Sequence, residues 1–302
     1  MISLQERLQF NPVSIDDAAG LIPILQNSGY TGCEFAFSTL YMWRHMNHNS
    51  VARWGDAVFF RSDMPSPVFS APVGGDFGEN ISLLRSWAHR QGIPLVLYGS
   101  AENLTGRLQQ IFPGEFSIVP SPPDHDYLYN TSDLAELPGK KYHAKRNHIA
   151  AFSRQYDWRY EPIGEDNLPQ VLEMAQEWYR SRQSLSDGLL AEQEAIGDVL
   201  RHRKILNVCG GLIRVEDRVV AFTFGAPVSS LEFDIQVEKA LPTYPGAYAV
   251  INREFAAREL SSFQWINREN DVGVEGLRRA KQSYHPVRLI EKYLCTEIDF
   301  KG

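Results

Sequence analysis

Cysteine is scarce in this chain. Cys33, Cys209 and Cys295 are odd in number, far apart, and outside any Cys-x-x-Cys or Cys/His ligand spacing. That excludes a disulfide framework and a structural zinc site, and all three are expected to be buried thiols. No uninterrupted apolar stretch approaches about 18 residues, and Met1-Ile-Ser-Leu-Gln-Glu-Arg lacks the basic-then-apolar order of a signal peptide. The chain is therefore expected to stay in the cytosol without spanning a membrane. Nor is there a Gly-x-Ser-x-Gly elbow, a Walker lysine loop, a Gly-x-Gly-x-x-Gly after a strand, or a His-x-x-x-His pair. Hydrolase, P-loop, dinucleotide and zincin chemistries lose their signatures with them, and neither a metal nor an organic cofactor is expected. His45, His48 and His202 are isolated, and are expected as ordinary surface or core residues.

What is present suits a folded protein. Of 302 residues, 43% are hydrophobic and 12% aromatic, enough for a packed core, and the length favours two medium domains. A formal net charge of −7 excludes a wholly basic, nucleic-acid-coating surface. Locally the balance reverses: between Glu136 and Asp157 there is no acid, while Lys140, Lys141, Lys145, Arg146 and Arg154 fall there with His143 and His148.

The pattern of elements occurs twice. In the first half, Ser14 with Asp17 forms a capping box before a helix over 16–27, and a second helix is expected over 35–45. Residues 51–54 and 57–61 flank Gly55-Asp56 as a hairpin. A short strand, the turn 72–78, a helix to Gln91, a strand over 93–98, a helix over 101–112 and a strand over 116–120 follow. The second half repeats the order. It reads as helices over 166–182 and 190–204, a hairpin of 206–215 with 219–228, a strand over 232–237 and a turn over 241–246. A helix over 247–260, a strand over 263–266, a helix over 274–283 and a strand over 287–296 finish it. This predicts a duplicated α/β architecture (α+β mixed), each copy a twisted mixed sheet flanked by helices, as in the N-acetyltransferase-like (GNAT) fold. The domains are placed at 1–136 and 137–302, the second including a basic linker helix over 140–152.

Three places concentrate chemistry. On that linker helix, Lys141, Lys145 and His148 share one face by their spacing, and Tyr142, Ile149 and Phe152 another, so one face attracts anions and the other packs. The strand Glu232-Phe-Asp-Ile-Gln-Val-Glu238 alternates, which predicts Glu232, Asp234, Gln236 and Glu238 on one side and Phe233, Ile235 and Val237 on the other. Residues 266–286 crowd Asn267, Arg268, Glu269, Asp271, Arg278, Lys281 and Tyr284 around Gly273 and Gly276, between a strand's end and a helix's start. The expected coenzyme A turn, by contrast, keeps only Gly246 of its Gln/Arg-x-x-Gly-x-Gly/Ala pattern, and Gly74, Gly75 and Gly78 read as turn chemistry.

The segment Asp126-Tyr-Leu-Tyr129 and residues 134–152 and 266–286 together resemble the DUF2156 family, which is related to the C-terminal catalytic domain of phosphatidylglycerol lysyltransferases. The resemblance covers essentially the whole chain. It implies a tandem GNAT-like fold shared with the Fem aminoacyltransferases, and transfer of an amino acid from aminoacyl-tRNA to a lipid headgroup or another amine or hydroxyl acceptor. Contact with lipid would be peripheral, at the inner membrane face. On this reading Lys141, Lys145 and Arg146, with Arg278 and Lys281, hold phosphates of the tRNA end or headgroup. Asp234 and Glu238 hold the donor's ammonium, Glu269 or Asp271 assists proton transfer, and Asn267, Arg268 and Tyr284 complete the substrate wall. A coenzyme A-dependent N-acyltransferase and a noncatalytic binding protein are the alternatives.

Overall fold

A computed structural model describes residues 8–182 and 184–300. The first half opens with β1 (Asn11–Pro12) and α1 (Ala18–Gln26), which a 3-10 turn precedes. The capping box forms: the Ser14 amide and hydroxyl both donate to the Asp17 carboxylate, at 2.8 and 3.0 Å. A 3-10 turn at Cys33–Phe35 leads into α2 (Phe37–Met42). Next come β2 (Ser50–Trp54), β3 (Ala57–Ser62), β4 (Val68–Ser70), α3 (Phe77–Arg90), β5 (Val96–Ser100), α4 (Gly106–Ile111) and β6 (Phe116–Pro120).

The junction carries β7 (Asp126–Asn130), α5 (Thr131–Glu136), α6 (His143–Gln155) and β8 (Trp158–Pro162). Of these, only the basic helix was legible in the sequence; a 3-10 turn at Lys140–Tyr142 opens it, and Tyr142, Ile149 and Phe152 are buried on its packing face. The second half contains α7 (Leu168–Arg180), α8 (Asp187–Arg201), β9 (Cys209–Val215), β10 (Arg218–Pro227), β11 (Glu232–Ala240), α9 (Ala247–Glu259), β12 (Trp265–Asn267) and α10 (Glu275–Gln282). It closes with β13 (Arg288–Ile290) and β14 (Lys292–Glu297). Helix α7 shows why such elements pack: Val171, Met174, Ala175 and Trp178 recur every three or four residues and are all buried.

The two seven-stranded sheets follow one plan. Their orders are β1-β2-β3-β4-β5-β14-β6 and, read from the other edge, β8-β9-β10-β11-β12-β7-β13. In each, a single parallel pair (β4 with β5, β11 with β12) interrupts antiparallel neighbours. The fold is thus a duplicated GNAT-like α/β architecture. Its last strands are exchanged. The segment expected as one strand over 287–296 breaks at Glu291, so that β13 joins the second sheet and β14 lies between β5 and β6 of the first. Reciprocally β7, which follows β6, lies between β12 and β13. The exchange runs across the division expected at residue 136: β7 precedes it yet belongs to the second sheet, and β14 follows it yet belongs to the first. A period-two pattern cannot reveal it, because alternation says which face a residue takes and not which sheet. The two crossing points touch: the Lys292 amide donates to His125 Nδ1 (3.0 Å) and the Ser121 amide to the Lys292 carbonyl (2.9 Å).

Two further expectations are corrected. Cys209 is exposed and Cys33 half-buried, leaving only Cys295 fully buried; Cys209 stands at the first position of β9, where the sheet has not yet covered it. The alternation along β11 also fails after Gln236. A bulge opposite Phe224 and Gly225 makes Gln236 an extra residue, and the sides swap. Phe233 and Ile235 therefore pack with Phe255 of α9, whereas Val237 joins Phe222 and Phe224 in the other core. Glu238 consequently reaches Asn252 of α9, while Asp234 reaches Thr39 of α2 on the opposite face.

Candidate active site

Strands β11 and β12 pair over three residues only, from Glu232 opposite Trp265 to Asp234 opposite Asn267. Beyond that point β11 runs on to Ala240, while the other chain turns away through Glu269, which has a φ of 53°. Polar side chains stand on both sides of the divergence. Asn267 is fully buried at its apex; its amide nitrogen donates to Asp126 (3.0 Å) and Glu232 (2.9 Å), and its oxygen accepts from the Glu269 amide (2.8 Å).

On the α2 side, Asp234 Oδ2 accepts from the Thr39 hydroxyl at 3.0 Å, and the Gln236 amide donates to Ser38 and Thr39 at 2.6 and 2.7 Å. Asp234 Oδ1 and Gln236 Oε1 are buried and accept nothing. Burial and then the nearby Glu269 and Asp126 carboxylates hold the Asp234 carboxyl well above its ordinary range. On the α9 side, Arg268 donates to Glu238 at 2.9 Å, and Glu238 also accepts from Asn252 at 3.0 Å. The guanidinium lies over the Tyr284 and Tyr129 rings, 4.7 and 5.7 Å from their centroids, and its buried Nη1 has no partner. Lys145 stands 3.7 Å over the Tyr284 ring and donates to Ser283 at 2.7 Å. Burial and the charge of Arg268 lower its ammonium to about 8.

Glu269 and Lys281 join the two sides. Burial pushes the Glu269 carboxyl up to about 8 although Lys281 pulls it down, and Asp126 raises it further. Burial and Arg268 bring Lys281 down to about 8, and its ammonium donates to the Arg268 carbonyl. Both groups therefore change charge close to neutral pH.

Of the residues singled out from the sequence, the structure gathers Asp234, Glu238, Asn267, Arg268, Glu269, Lys281, Lys145 and Tyr284 around this divergence. It occupies the others elsewhere. Asp271 is saturated by Tyr127 (2.7 Å), the Gly273 amide (2.8 Å) and Arg278 (2.9 and 3.1 Å), so the Asp271–Arg278 pair pins a turn. Arg146 donates to the Leu137 and Gly139 carbonyls at the end of α5, and Lys141 pairs with Asp133 at 3.4 Å on the surface. His45 and His48 line a hollow of first-half residues with Arg44, Arg61 and Asp63.

Sequence reasoning missed a second group, where the strand exchange crosses. Lys292 is fully buried and pairs with Glu34 and, at 3.2 Å, with Asp126. The Cys33 amide also donates to Asp126 at 2.9 Å. Cys33, Glu34 and Asp126 present ligand atoms within 4.8 Å of one another, the one such set among the described residues. The Lys292 ammonium already pairs with both carboxylates, which fits a buried ion-pair cluster better than a metal. Burial, then Asn267 and Asp126, set the neighbouring Glu232 carboxyl, which ends up at about 7.

Gly246 has a different use from phosphate binding. Its φ is 96°, and a Cβ there would stand 2.8 Å from the His148 carbonyl and 3.2 Å from Phe152 Cβ. Its absence lets α6 lie against the start of α9. Gly246→Ala is expected to cost about 1–3 kcal/mol, through left-handed strain and this clash, measurable by urea denaturation.

These features define a GNAT-like transferase scaffold with a polar, charge-rich strand divergence in its second half. The family model described as phosphatidylglycerol lysyltransferase, C-terminal, matches residues 26–296, and the chain belongs to that family. A conserved protein of unknown function from Bacteroides thetaiotaomicron is 34% identical, with a TM-score of 0.90 over 96% of this chain and 100% of that one. L-PGS from Bacillus licheniformis shares the fold at 14% identity, with a TM-score of 0.66 over 94% of this chain and 92% of that one. An uncharacterized protein of Mycoplasmoides gallisepticum, MYCGA3080, is 24% identical over 177 residues, which span 57% of this chain and 56% of that relative. No helix among the described residues is long and apolar enough to cross a membrane.

Proposed function

We propose that the chain transfers an aminoacyl group from aminoacyl-tRNA to an amine or hydroxyl acceptor, a lipid headgroup being one candidate. The observation that carries the reading is a set of buried, unpartnered polar atoms: the acceptor oxygens Asp234 Oδ1 and Gln236 Oε1 on the α2 side and the donor Arg268 Nη1 on the α9 side. Buried polar atoms are normally satisfied, so these favour a ligand with an ammonium at one end and an electron-rich oxygen at the other. An aminoacyl ester has both.

The ester is already activated, so transfer needs positioning and proton management more than a protein nucleophile. The acceptor's oxygen or nitrogen attacks the ester carbonyl carbon, the bond from that carbon to the ribose oxygen breaks, and the acceptor's proton ends on the ribose hydroxyl. Glu269, poised at about 8, is suited to carry that proton, and Arg268 to steady the negative charge on the carbonyl oxygen. Lys145 and Lys281 add positive charge on the same side.

Coenzyme A dependence is the second reading. It is disfavoured because the start of α9, where the fold would hold a pyrophosphate, is covered by α6 at Gly246. Thermal shift tests the two together: aminoacyl-tRNA or a nonhydrolysable analogue is expected to raise Tm and acetyl-coenzyme A to leave it unchanged. The reverse pattern sinks the tRNA reading, and no shift with either favours a noncatalytic role.

A further inference from the structure

All six residues of α2 are buried, Ser38 and Thr39 among them, so their hydroxyls must find partners inside the protein. A serine or threonine within a helix commonly bonds a carbonyl of its own preceding turn. Thr39 instead gives its one hydroxyl hydrogen to Asp234 Oδ2 at 3.0 Å, 195 residues away in the other half of the chain. The neighbouring bonds fix that direction. The Gln236 amide nitrogen carries two hydrogens, which go to Ser38 at 2.6 Å and to Thr39 at 2.7 Å. Thr39 thus accepts from one residue of β11 and donates to another, and this relay uses up the hydrogens of Thr39 and of the Gln236 amide. One oxygen of each β11 residue is left over, Asp234 Oδ1 and Gln236 Oε1, both buried and without a partner. Burial and the Glu269 and Asp126 carboxylates keep the Asp234 carboxyl protonated, and the Thr39 hydroxyl pulls the other way. With Oδ2 already accepting, the proton belongs on Oδ1.

We propose that Thr39, contributed by the first half, makes a free α-amino group a requirement for the donor, so that N-acylated aminoacyl esters are refused. This deepens the transfer reading and rests on it. The count of hydrogens carries it. A free amine takes the proton from Asp234 and becomes an ammonium, whose three N–H groups serve Oδ1 and Oε1 together beside the new carboxylate. An acylated nitrogen takes no proton and has one N–H, so it leaves a buried acceptor unpaired and brings a further carbonyl oxygen to the same place. Thr39 touches no part of the donor itself. It acts through Asp234 and Gln236, by deciding which oxygen of the carboxyl is left for the ligand and by holding the two side chains to one hydroxyl. Without that hydroxyl both are free to turn.

The test is filter retention of bulk tRNA charged with the labelled coded amino acids, either untreated or N-acetylated, on the full chain. The retained amino acids are identified after deacylation. Wild type is expected to hold the N-acetylated form of its preferred species about tenfold to a hundredfold less well than the free amine. Thr39→Val is expected to bring the two forms to within severalfold of each other, by weakening the free-amine form, whereas Thr39→Ser keeps the hydroxyl and the preference. A role in packing alone predicts the opposite order, because valine fills threonine's volume and serine does not. Thr39→Ala gives the same readout if the valine does not fold. Wild type that holds both forms alike, or hydroxyl-free variants that keep the full preference, overturns the proposal and leaves the transfer reading in place. Wild type that holds no charged tRNA removes the transfer reading, and this proposal with it.

Discussion

Lys292→Met is expected to destabilise the chain by about 3–5 kcal/mol, the cost of leaving buried carboxylates without their cation. Lys292 is fully buried against Glu34 and Asp126, and Glu232 shares Asn267 with Asp126. Burial alone would drive a lysine's proton off, yet the surrounding acids hold the Lys292 ammonium well above its ordinary range. Methionine fills similar space and supplies no charge.

The pH dependence identifies the cause. In the wild type, the Glu232 carboxyl, at about 7, and Glu269, at about 8, stay protonated in the fold at pH values where the unfolded chain, near 4.5, has ionised them. The folded state then binds more protons, so this stability is fully present below the unfolded value. It is lost as pH rises through the folded ones. Urea denaturation between about pH 5 and pH 8 should show the decline, and Glu232→Gln should flatten it. Removing Lys292 pushes the Glu34 carboxyl, already raised by burial, higher still. The deficit of Lys292→Met should therefore be smaller at the acid end. A deficit that does not change with pH would mean that lost packing, rather than uncompensated charge, is responsible.

The second large effect is on activity. Asp234→Asn keeps the shape of the side chain and the reach to Thr39, but cannot give up a proton to pair with the donor's ammonium, as the carboxyl is proposed to do when the donor binds. Transfer from aminoacyl-tRNA is expected to fall about 10²–10³-fold, the scale seen when one oriented electrostatic contact is lost from a site. Stability should hold or rise, because a fully buried carboxyl beside Glu269 and Asp126 is a liability to the fold. Loss of both together would make Asp234 a structural residue. Full activity in the variant would place the ammonium elsewhere.

The fold was legible to the extent that its signals are local. The capping box at Ser14, the two hairpins and the helices over the second half follow from periodicity and turn chemistry, and the repeated order exposed the duplication. Arg268, Glu269 and Lys281, proposed as one wall of the site, could be picked out because they sit within one dense segment. What escaped was long-range. Glu34 and Lys292 are far apart in sequence, and a single lysine in an apolar strand says only that something must pair with it. The bulge at Gln236 escaped because the sequence Asp-Ile-Gln-Val-Glu alternates without a break, and the extra residue is imposed by β10. Arg146 and Arg278, expected to hold phosphates, and Asp271, expected to move a proton, stand out in the sequence as much as their neighbours do; that Arg146 bonds the Leu137 and Gly139 carbonyls and that Asp271 bonds Arg278 and Tyr127 is visible only in the structure.

The crossing of β7 and β14 sets an order of assembly. Emerging from a ribosome, the first hundred and twenty or so residues have most of one sheet but not the strand between β5 and β6, which is synthesised roughly two hundred residues after its partner Val96. Neither half is finished until the tail has returned to its beginning. Completion must then be late and concerted, with the unfilled slot exposed in the meantime to chaperones or to the tail of another copy, and the halves should not survive being expressed apart.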